Sequence, residues 1–109
     1  MIRINVAKDF YIAPVGRVPA DGDYNGERFR KEYLVPALQK ADIVFIDLDG
    51  SEGYGSSFLE EAFGGLVRKE GFTAEDLKRR LDFKSDDDSS YLIEIEEYIS
   101  DATRAEGAK

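Results

Sequence analysis

Residues 42–66 read DIVFIDLDGSEGYGSSFLEEAFGGL, and this stretch decides the fold. Its apolar run over residues 43–46 is typical of a buried β-strand, which ends in carboxylates and a glycine at residues 47–50. A glycine-rich loop then leads to Ser56 and Ser57 at the start of an apolar helix. In α/β proteins, a loop at the carboxyl end of a central strand that is closed by a helix N-terminus often carries the functional groups. We therefore expect the functional site within residues 49–57.

The composition predicts one globular domain. The chain has 109 residues, of which 42% are hydrophobic and 35% charged, so it can build one core but not two. We expect a single domain over residues 1–103 and a frayed tail over residues 104–109. The net charge of -8 is concentrated in residues 82–109, which hold nine acids and three bases. This acidic balance argues against a nucleic-acid surface, which is normally basic.

Cysteine and histidine are both missing from the sequence. Their absence excludes disulfides, thiolate chemistry, the usual zinc sites and a histidine base, so any catalysis would use carboxylates, lysines, tyrosines or serines. The chain opens on an alternating strand pattern, and no segment approaches the roughly 20 apolar residues of a membrane span. We expect a cytoplasmic protein with no membrane contact, no cofactor and no metal.

Hydrophobic periodicity predicts the remaining elements. We expect strands near residues 2–6, 10–15, 43–48 and 81–83, the last at a sheet edge. The predicted helices span residues 26–40 (capped by Asn25 or Asp23, kinked or divided at Pro36), a helix with Ser56 or Ser57 as its N-cap, residues 73–80 (capped by Thr73) and residues 90–103. Gly64 and Gly65 lie within the second of these helices, and we expect close packing against a neighbour there. The result is an α/β sandwich with a small mixed sheet of about four strands and about four helices on one or both faces.

The sequence VFIDLDGS at residues 44–51 resembles the nucleophile motif of haloacid-dehalogenase-like phosphatases. The resemblance implies that Asp47 attacks a phosphoryl group and that Asp49 acts as acid and base, with magnesium between them. That family begins with this strand, whereas here the strand begins 42 residues into the chain. The rest of that site is also missing, since only 60 residues follow Asp49 for the further strands, the lysine and the second acidic pair. Residues 86–88 offer carboxylates, but they lie in a polar run with no apolar strand ahead of them. The alternative is a core strand that ends in a solvated turn.

The second half of the opening stretch resembles STAS domains, the module shared by anti-anti-sigma factors and sulfate transporter tails. In that family an apolar strand ends in Asp-Leu-x-Gly, the loop ends in Asp-Ser-Ser-Gly, and a partner kinase phosphorylates the first serine. Residues 47–50 match the strand pattern, and Ser56 falls on the phosphoacceptor with Ser57 after it. Gly55 replaces the aspartate and Phe58 replaces the glycine.

A narrower resemblance covers roughly residues 2–99. The segments at residues 16–17 (GR), 25–30 (NGERFR) and 56–66 (SSFLEEAFGGL) are similar to small bacterial STAS-like domains of unassigned function. Some of these occur beside or fused to histidine-kinase-type ATPase domains. The resemblance implies a non-enzymatic regulatory module, like an anti-sigma factor antagonist, that docks on such an ATPase through residues 49–57 and the following helix.

The expected partner-binding residues are Arg17, Asp49, Tyr54, Gly55, Ser56, Ser57 and Phe58. A phosphate on Ser56 or Ser57 would meet free backbone amides and the positive end of a helix dipole, while the simpler alternative is that both serines only cap the helix. We expect Tyr54 to point outward from a mobile glycine loop as an interface anchor.

Arg17, Arg28, Arg30 and Lys31 form the one basic concentration in the sequence. They could contact an acidic partner or a nucleotide phosphate, or form a solvated helix face paired with Glu27 and Glu32. We expect Arg17, which follows a turn, to be buried against a carboxylate such as that of Asp47 or Glu61. A third class of function is a nucleotide-binding domain that holds phosphate near Ser56.

Overall fold

The computed structural model describes residues 1–107, and within them one parallel sheet forms. Its strands are β1 (Ile2–Asn5), β2 (Val44–Asp47) and β3 (Leu81–Lys84), in the order β1-β2-β3. Both strand pairs are parallel. The expectation of a mixed, four-stranded sheet is therefore wrong for these residues, whereas β2 is the central strand and β3 an edge strand, as predicted.

The missing fourth strand is the one predicted at residues 10–15. Instead, β1 leads into a single π-helical turn, Val6–Phe10, and the residues after it are irregular. The side chain of Asn5 accepts a hydrogen bond from the backbone N–H of Lys8, and the Asp9 carboxylate accepts one from the N–H of Asn5. The turn places the Phe10 ring in a buried aromatic cluster, so core packing overrides the strand-like composition.

The first two helices each contain a wider π-helical turn. Helix α1 covers residues 26–40 as three continuous segments, Gly26–Phe29, the π segment Arg30–Leu34 and Val35–Lys40. Asn25 is its N-cap, as predicted, and its side chain accepts a hydrogen bond from the N–H of Arg28. Pro36 does not divide the helix, because the π turn just before it accommodates a residue without an N–H group. Helix α2 covers residues 56–68, with its π segment at Glu60–Gly64.

Two further helices complete the described chain. Helix α3 is Ala74–Arg80, and Thr73 caps it by accepting a hydrogen bond from the N–H of Asp76, as predicted. Helix α4 is Ser90–Gly107, so it continues past residue 103, where the sequence predicted its end. The rest of the predicted tail, residues 108–109, lies outside the described residues. None of the helices in residues 1–107 is long and apolar enough to cross a membrane.

The helices lie on one face of the sheet. With strand order β1-β2-β3 and right-handed crossovers, both connections pass over the same side. Ile4, Val44 and Ile46 on that side are buried, and Phe83 of β3 contacts Phe63 of α2. Helix α4 packs against α2. The opposite face of the sheet, which carries Arg3, Phe45 and Asp82, is left open.

Glycines allow α1 and α2 to approach each other closely. A Cβ atom on Gly26 would lie 2.7 Å from the carbonyl oxygen of Phe58 and 2.9 Å from the Cβ of Glu61. A Cβ on Gly65 would overlap the guanidinium group of Arg30. The prediction of close packing at the Gly64–Gly65 pair is thus confirmed at Gly65.

Candidate functional site

The β2–α2 loop, residues 48–55, lies at the carboxyl edge of the central strand, where the sequence predicted it. Two other segments flank this loop. The β3–α4 loop, residues 85–89, contacts it through a hydrogen bond from the Gly50 N–H to the Asp87 carboxylate (2.9 Å). The segment after the first turn contacts it on another side, because the Glu52 N–H donates to the carbonyl of Ile12 (2.8 Å). The carboxyl edge is therefore built from three parts of the chain.

Asp49 braces the β2–α2 loop against β3. Its carboxylate accepts a hydrogen bond from the backbone N–H of Asp87 (2.9 Å) and forms an ion pair with Lys84 (2.5 Å). The hydrogen bond from the Asp87 N–H, and after it the one from the Lys84 ammonium, hold the pKa of Asp49 below its ordinary value. The ion pair with Asp49 in turn raises the pKa of Lys84. Asp49 thus has a structural role at the expected binding loop.

The structure places a lysine, Lys84, beside the phosphatase-like motif. Lys84 is the last residue of β3, and parallel pairing places it in register with Asp47 at the same edge of the sheet. However, the Asp47 carboxylate accepts a hydrogen bond from the N–H of Asp49 (2.9 Å), and Lys84 contacts Asp49 and Asp86. Within residues 1–107, no group of three or more carboxylates is arranged to hold a metal ion.

Tyr54 anchors the loop from inside the protein. Its side chain is only 8% exposed, and its ring packs on those of Phe58 and Tyr91 at centroid distances of 6.0 and 5.1 Å. The hydroxyl donates to the carbonyl of Leu48 (2.8 Å), and burial raises the pKa of Tyr54 to about 12. The expectation of an outward-pointing ring is wrong, because the ring gains more from burial in this aromatic pocket.

Ser56 and Ser57 are exposed at the start of α2, but neither caps the helix. Gly55 is the N-cap, and it provides no side-chain acceptor, so the predicted serine cap is wrong. The N–H groups of the first turn consequently receive no side-chain cap. Phe58, the next expected contact residue, is fully buried.

Arg17 connects the exposed surface to the second turn of α2. It is 45% exposed and pairs with the carboxylate of Glu60, while one oxygen of Glu61 lies 3.8 Å away. Burial opposes ionisation of Glu60, but hydrogen bonds from Arg68 and Arg17 outweigh it and hold the pKa of Glu60 below its ordinary value. The expected contact of Arg17 with Glu61 is confirmed, whereas the expected burial of Arg17 and a contact with Asp47 are not observed.

The rest of the basic concentration serves the fold. Arg28 pairs with Glu32 and Lys31 pairs with Glu27, as predicted by the alternative of a solvated helix face. Arg30, by contrast, is completely buried between α1 and α2, where it forms ion pairs with Glu61 (2.6 Å) and Glu70 (2.9 Å). Its burial was not predicted, because the pairing with Glu61 and Glu70 joins segments more than 30 residues apart.

Three exposed apolar side chains beside the loop were missed by the sequence reasoning. Tyr11, Ile12 and Val15 are 42%, 46% and 57% exposed, in a segment that the sequence assigned to a strand. The Tyr11 ring stacks on that of Tyr24 at 4.0 Å, and Arg28 lies 5.0 Å from the latter ring. The available signal was the run YIAPV at residues 11–15, which cannot be a central strand because it contains a proline.

The carboxyl-edge surface therefore consists of Tyr11, Ile12 and Val15, the braced β2–α2 loop, and the serines at the start of α2. The carboxylates of Asp47 and Asp49 at this edge each accept a backbone hydrogen bond within the fold.

A parallel sheet with helices on one face and a serine pair at the loop after the central strand defines a small α/β domain of the STAS-like class. The chain belongs to the family described as STAS-like domain of unknown function (DUF4325), whose model matches residues 25–91. This range includes β2, the β2–α2 loop, α2 and β3, whereas Tyr11, Ile12, Val15 and Arg17 lie outside it. No curated protein and no solved structure gives a significant match to the chain.

Proposed function

We propose that this chain is a non-enzymatic regulatory module that binds a partner protein through its carboxyl-edge surface. Two observations carry the proposal. Ser56 and Ser57 are exposed at the start of α2, and Tyr11, Ile12 and Val15 are exposed in the segment whose Ile12 carbonyl accepts a hydrogen bond from Glu52 of the β2–α2 loop. Exposed apolar groups next to polar ones are typical of protein interfaces. The STAS resemblance suggests a histidine-kinase-type ATPase as the partner class.

Rigidity of the loop supports this proposal. The contacts of Asp49 with Lys84 and Asp87, and those of Tyr54 with Leu48 and Tyr91, hold the loop in one shape before any partner arrives. A preformed binding loop loses less conformational entropy when a complex forms, so more of the contact energy appears as affinity. In this proposal Asp49, Tyr54 and Phe58 position the surface, while Ser56, Ser57 and the apolar side chains contact the partner.

Phosphorylation of a serine is the regulatory step that we propose for this surface. A phosphate on Ser56 or Ser57 would bring about two negative charges to the first turn of α2, where free N–H groups and the helix dipole stabilise an anion. The same charges would face an interface that depends on Ile12 and Val15. We therefore expect phosphorylation to weaken binding of the partner.

Binding to a histidine-kinase-type ATPase, chosen from the genes that neighbour this chain's gene where one is encoded there, is measured by calorimetry and tests the proposal. We expect Ile12→Asp and Ser57→Glu each to weaken binding at least tenfold, while Ser57→Ala retains it. Ile93→Asp is the matched control, because Ile93 is also an exposed isoleucine (60%, against 46% for Ile12) but lies on α4. If the first two variants bind as tightly as the control, this surface is not the docking site.

The placement of Lys84 favours one second candidate, a magnesium-dependent phosphotransfer enzyme that uses Asp47 and Asp49. A lysine beside two carboxylates at the ends of strands can stabilise the negative charge of a phosphoryl group during its transfer. Hydrolysis of a phosphomonoester in the presence of Mg²⁺, lost in Asp47→Asn, would support this enzyme over the binding module. A thermal shift with nucleotides in the absence of Mg²⁺-dependent turnover would instead favour a nucleotide-binding domain with its phosphate near Ser56.

A further inference from the structure

The face of the sheet that points away from the helices has no cover within residues 1–107. Arg3, Phe45 and Asp82 form one row across this face, since the register pairs Arg3 with Phe45 and Phe45 with Asp82. Arg3 and Asp82 are exposed and Phe45 is partly exposed, whereas the residues on the other face, such as Val44 and Ile46, are buried. The row thus places an aromatic ring between a cation and an anion on an open surface.

An open face is unusual for this type of sheet. Parallel sheets are normally covered on both faces, and their strands are continuous apolar runs for that reason. The run over residues 43–46 of the central strand has this composition, but Phe45 lies outside the hydrophobic core of the described residues. The Arg3 guanidinium lies 5.4 Å from the centre of its ring. The central strand is therefore built for a second layer that residues 1–107 do not supply.

We infer that the open face is a contact surface between two copies of this chain. The charges across the row argue for a second copy. If two open faces stack about a two-fold axis that runs parallel to β2 between them, β1 of each copy lies over β3 of the other. The rotation places Phe45 against the Phe45 of the other copy and puts each Arg3 opposite the Asp82 of the other copy. One surface thus supplies both members of each ion pair.

The next row of the face fits the same rotation only at its two ends. Asn5, Asp47 and Lys84 are in register, so each Lys84 would face the Asn5 of the other copy. Asp47 lies near the axis and would face the Asp47 of the other copy, a like-charge contact that weakens the dimer, although the N–H of Asp49 donates to one oxygen of each carboxylate. Pairing through the free edge of β1 is a poorer alternative, because the N–H of Asn5 at that edge is already bonded to Asp9.

The size of the face predicts a weak dimer. Three strands of four residues cover roughly 200 Å², from strand spacing and rise per residue, which is small beside the about 800 Å² per partner of a standard interface. Sedimentation velocity from about 10 μM to about 1 mM, a range suited to weak association, should therefore show dimers that form as concentration rises. Phe45→Glu should keep the chain monomeric throughout, and unchanged folding is checked by circular dichroism.

Charge reversal provides the sharper test. Arg3→Asp and Asp82→Arg each place like charges opposite one another in a self-dimer, so each variant alone should dimerise at least tenfold more weakly than the wild type. An equimolar mixture of the two restores both opposite-charge pairs and should form a heterodimer. A loss of structure in either variant cannot produce recovery on mixing.

Three results would overturn the inference: a wild-type chain that stays monomeric at the highest concentration, a dimer that Phe45→Glu leaves intact, or no recovery in the mixture. Because Ile12 and Ser57 lie at the carboxyl edge and not on this face, Ile12→Asp and Ser57→Glu should leave dimerisation unchanged. The inference is thus independent of the partner proposed above.

Discussion

Tyr54 determines the shape of the candidate site at the scale of single residues. Its ring fills the space between Phe58 and Tyr91, and its hydroxyl satisfies the carbonyl of Leu48, at the end of the central strand. The tyrosine thus connects the strand end, the loop and α4 in one set of contacts. A residue that resembles an interface anchor in the sequence acts here as an internal support.

Tyr54→Phe should lower the free energy of unfolding by about 1–2 kcal/mol, because the buried carbonyl of Leu48 loses its donor. Urea denaturation measures this change. Tyr11→Phe is the control, since the Tyr11 side chain is 42% exposed and its hydroxyl remains solvated; we expect a change within about 0.5 kcal/mol. Equal effects of the two substitutions would show that the hydroxyl of Tyr54 does not support the loop.

Local residues were easier to predict than distant pairs. The capping roles of Asn25 and Thr73 follow from side chains within three residues of the N–H groups that they accept from. The burial of Tyr54 depends on Tyr91, and that of Arg30 on Glu61 and Glu70, which lie more than 30 residues away. No local pattern in the sequence carries that information.

At the scale of elements, the contact between α1 and α2 fixes the position of the serine pair. Gly26 opens α1 and touches the backbone of α2 next to Phe58, while Arg30 one turn later is buried against Gly65. Burial opposes ionisation of Glu61, but the hydrogen bonds from Arg30 and Lys69 outweigh it and hold the pKa of Glu61 below its ordinary value. The two helices are therefore held by close backbone approach and by a buried ion pair.

Gly26→Ala should destabilise the fold by about 1–3 kcal/mol, because the new methyl group meets backbone atoms that cannot move independently. Thermal unfolding measures the effect. Gly107→Ala is the matched control: a Cβ there has nothing within 4 Å, and alanine is the better helix former, so its stability should be equal or slightly higher. The helix contact would be looser than described if both variants melted alike.

Element types could be predicted from periodicity, but the number of strands could not. Residues 10–15 contain the apolar residues of a strand, yet the polar groups of Asn5 and Asp9 turn the chain directly after β1, and Phe10 enters the core. Burial of one phenylalanine outweighs a local strand preference, because strand propensity depends on the neighbours that a strand finds. The same misassignment hid the exposed Ile12 and Val15.

Across the whole molecule, several carboxylates are stabilised in their charged form. Asp49 is held charged by the Asp87 N–H and by Lys84, and Glu60 and Glu61 are held charged by arginine and lysine partners that overcome burial. A carboxyl group with a lowered pKa in the folded state adds stability above its unfolded pKa. That contribution is lost as the pH falls through the folded pKa.

The melting temperature should therefore fall as the pH is lowered below about 4.5, the ordinary range of carboxyl groups. Differential scanning fluorimetry from neutral to acidic pH measures the profile. Asp49→Asn should show a shallower fall, because one of the titrating groups is gone while the backbone hydrogen bond from Asp87 can still be accepted. A profile that is flat in acid, or equally steep in both proteins, would contradict this assignment.

The strand order of the sheet also constrains how the chain can fold. Ile2 pairs with Val44 and Val44 with Leu81, so each strand pairing must close a loop of roughly 40 residues before it gains a hydrogen bond. Folding should consequently be slow for a chain of this length. During synthesis, the edge of β2 that faces β3 stays unpaired until β3 has left the ribosome. The β2–α2 loop acquires its fixed shape later still, after Tyr91 has also emerged.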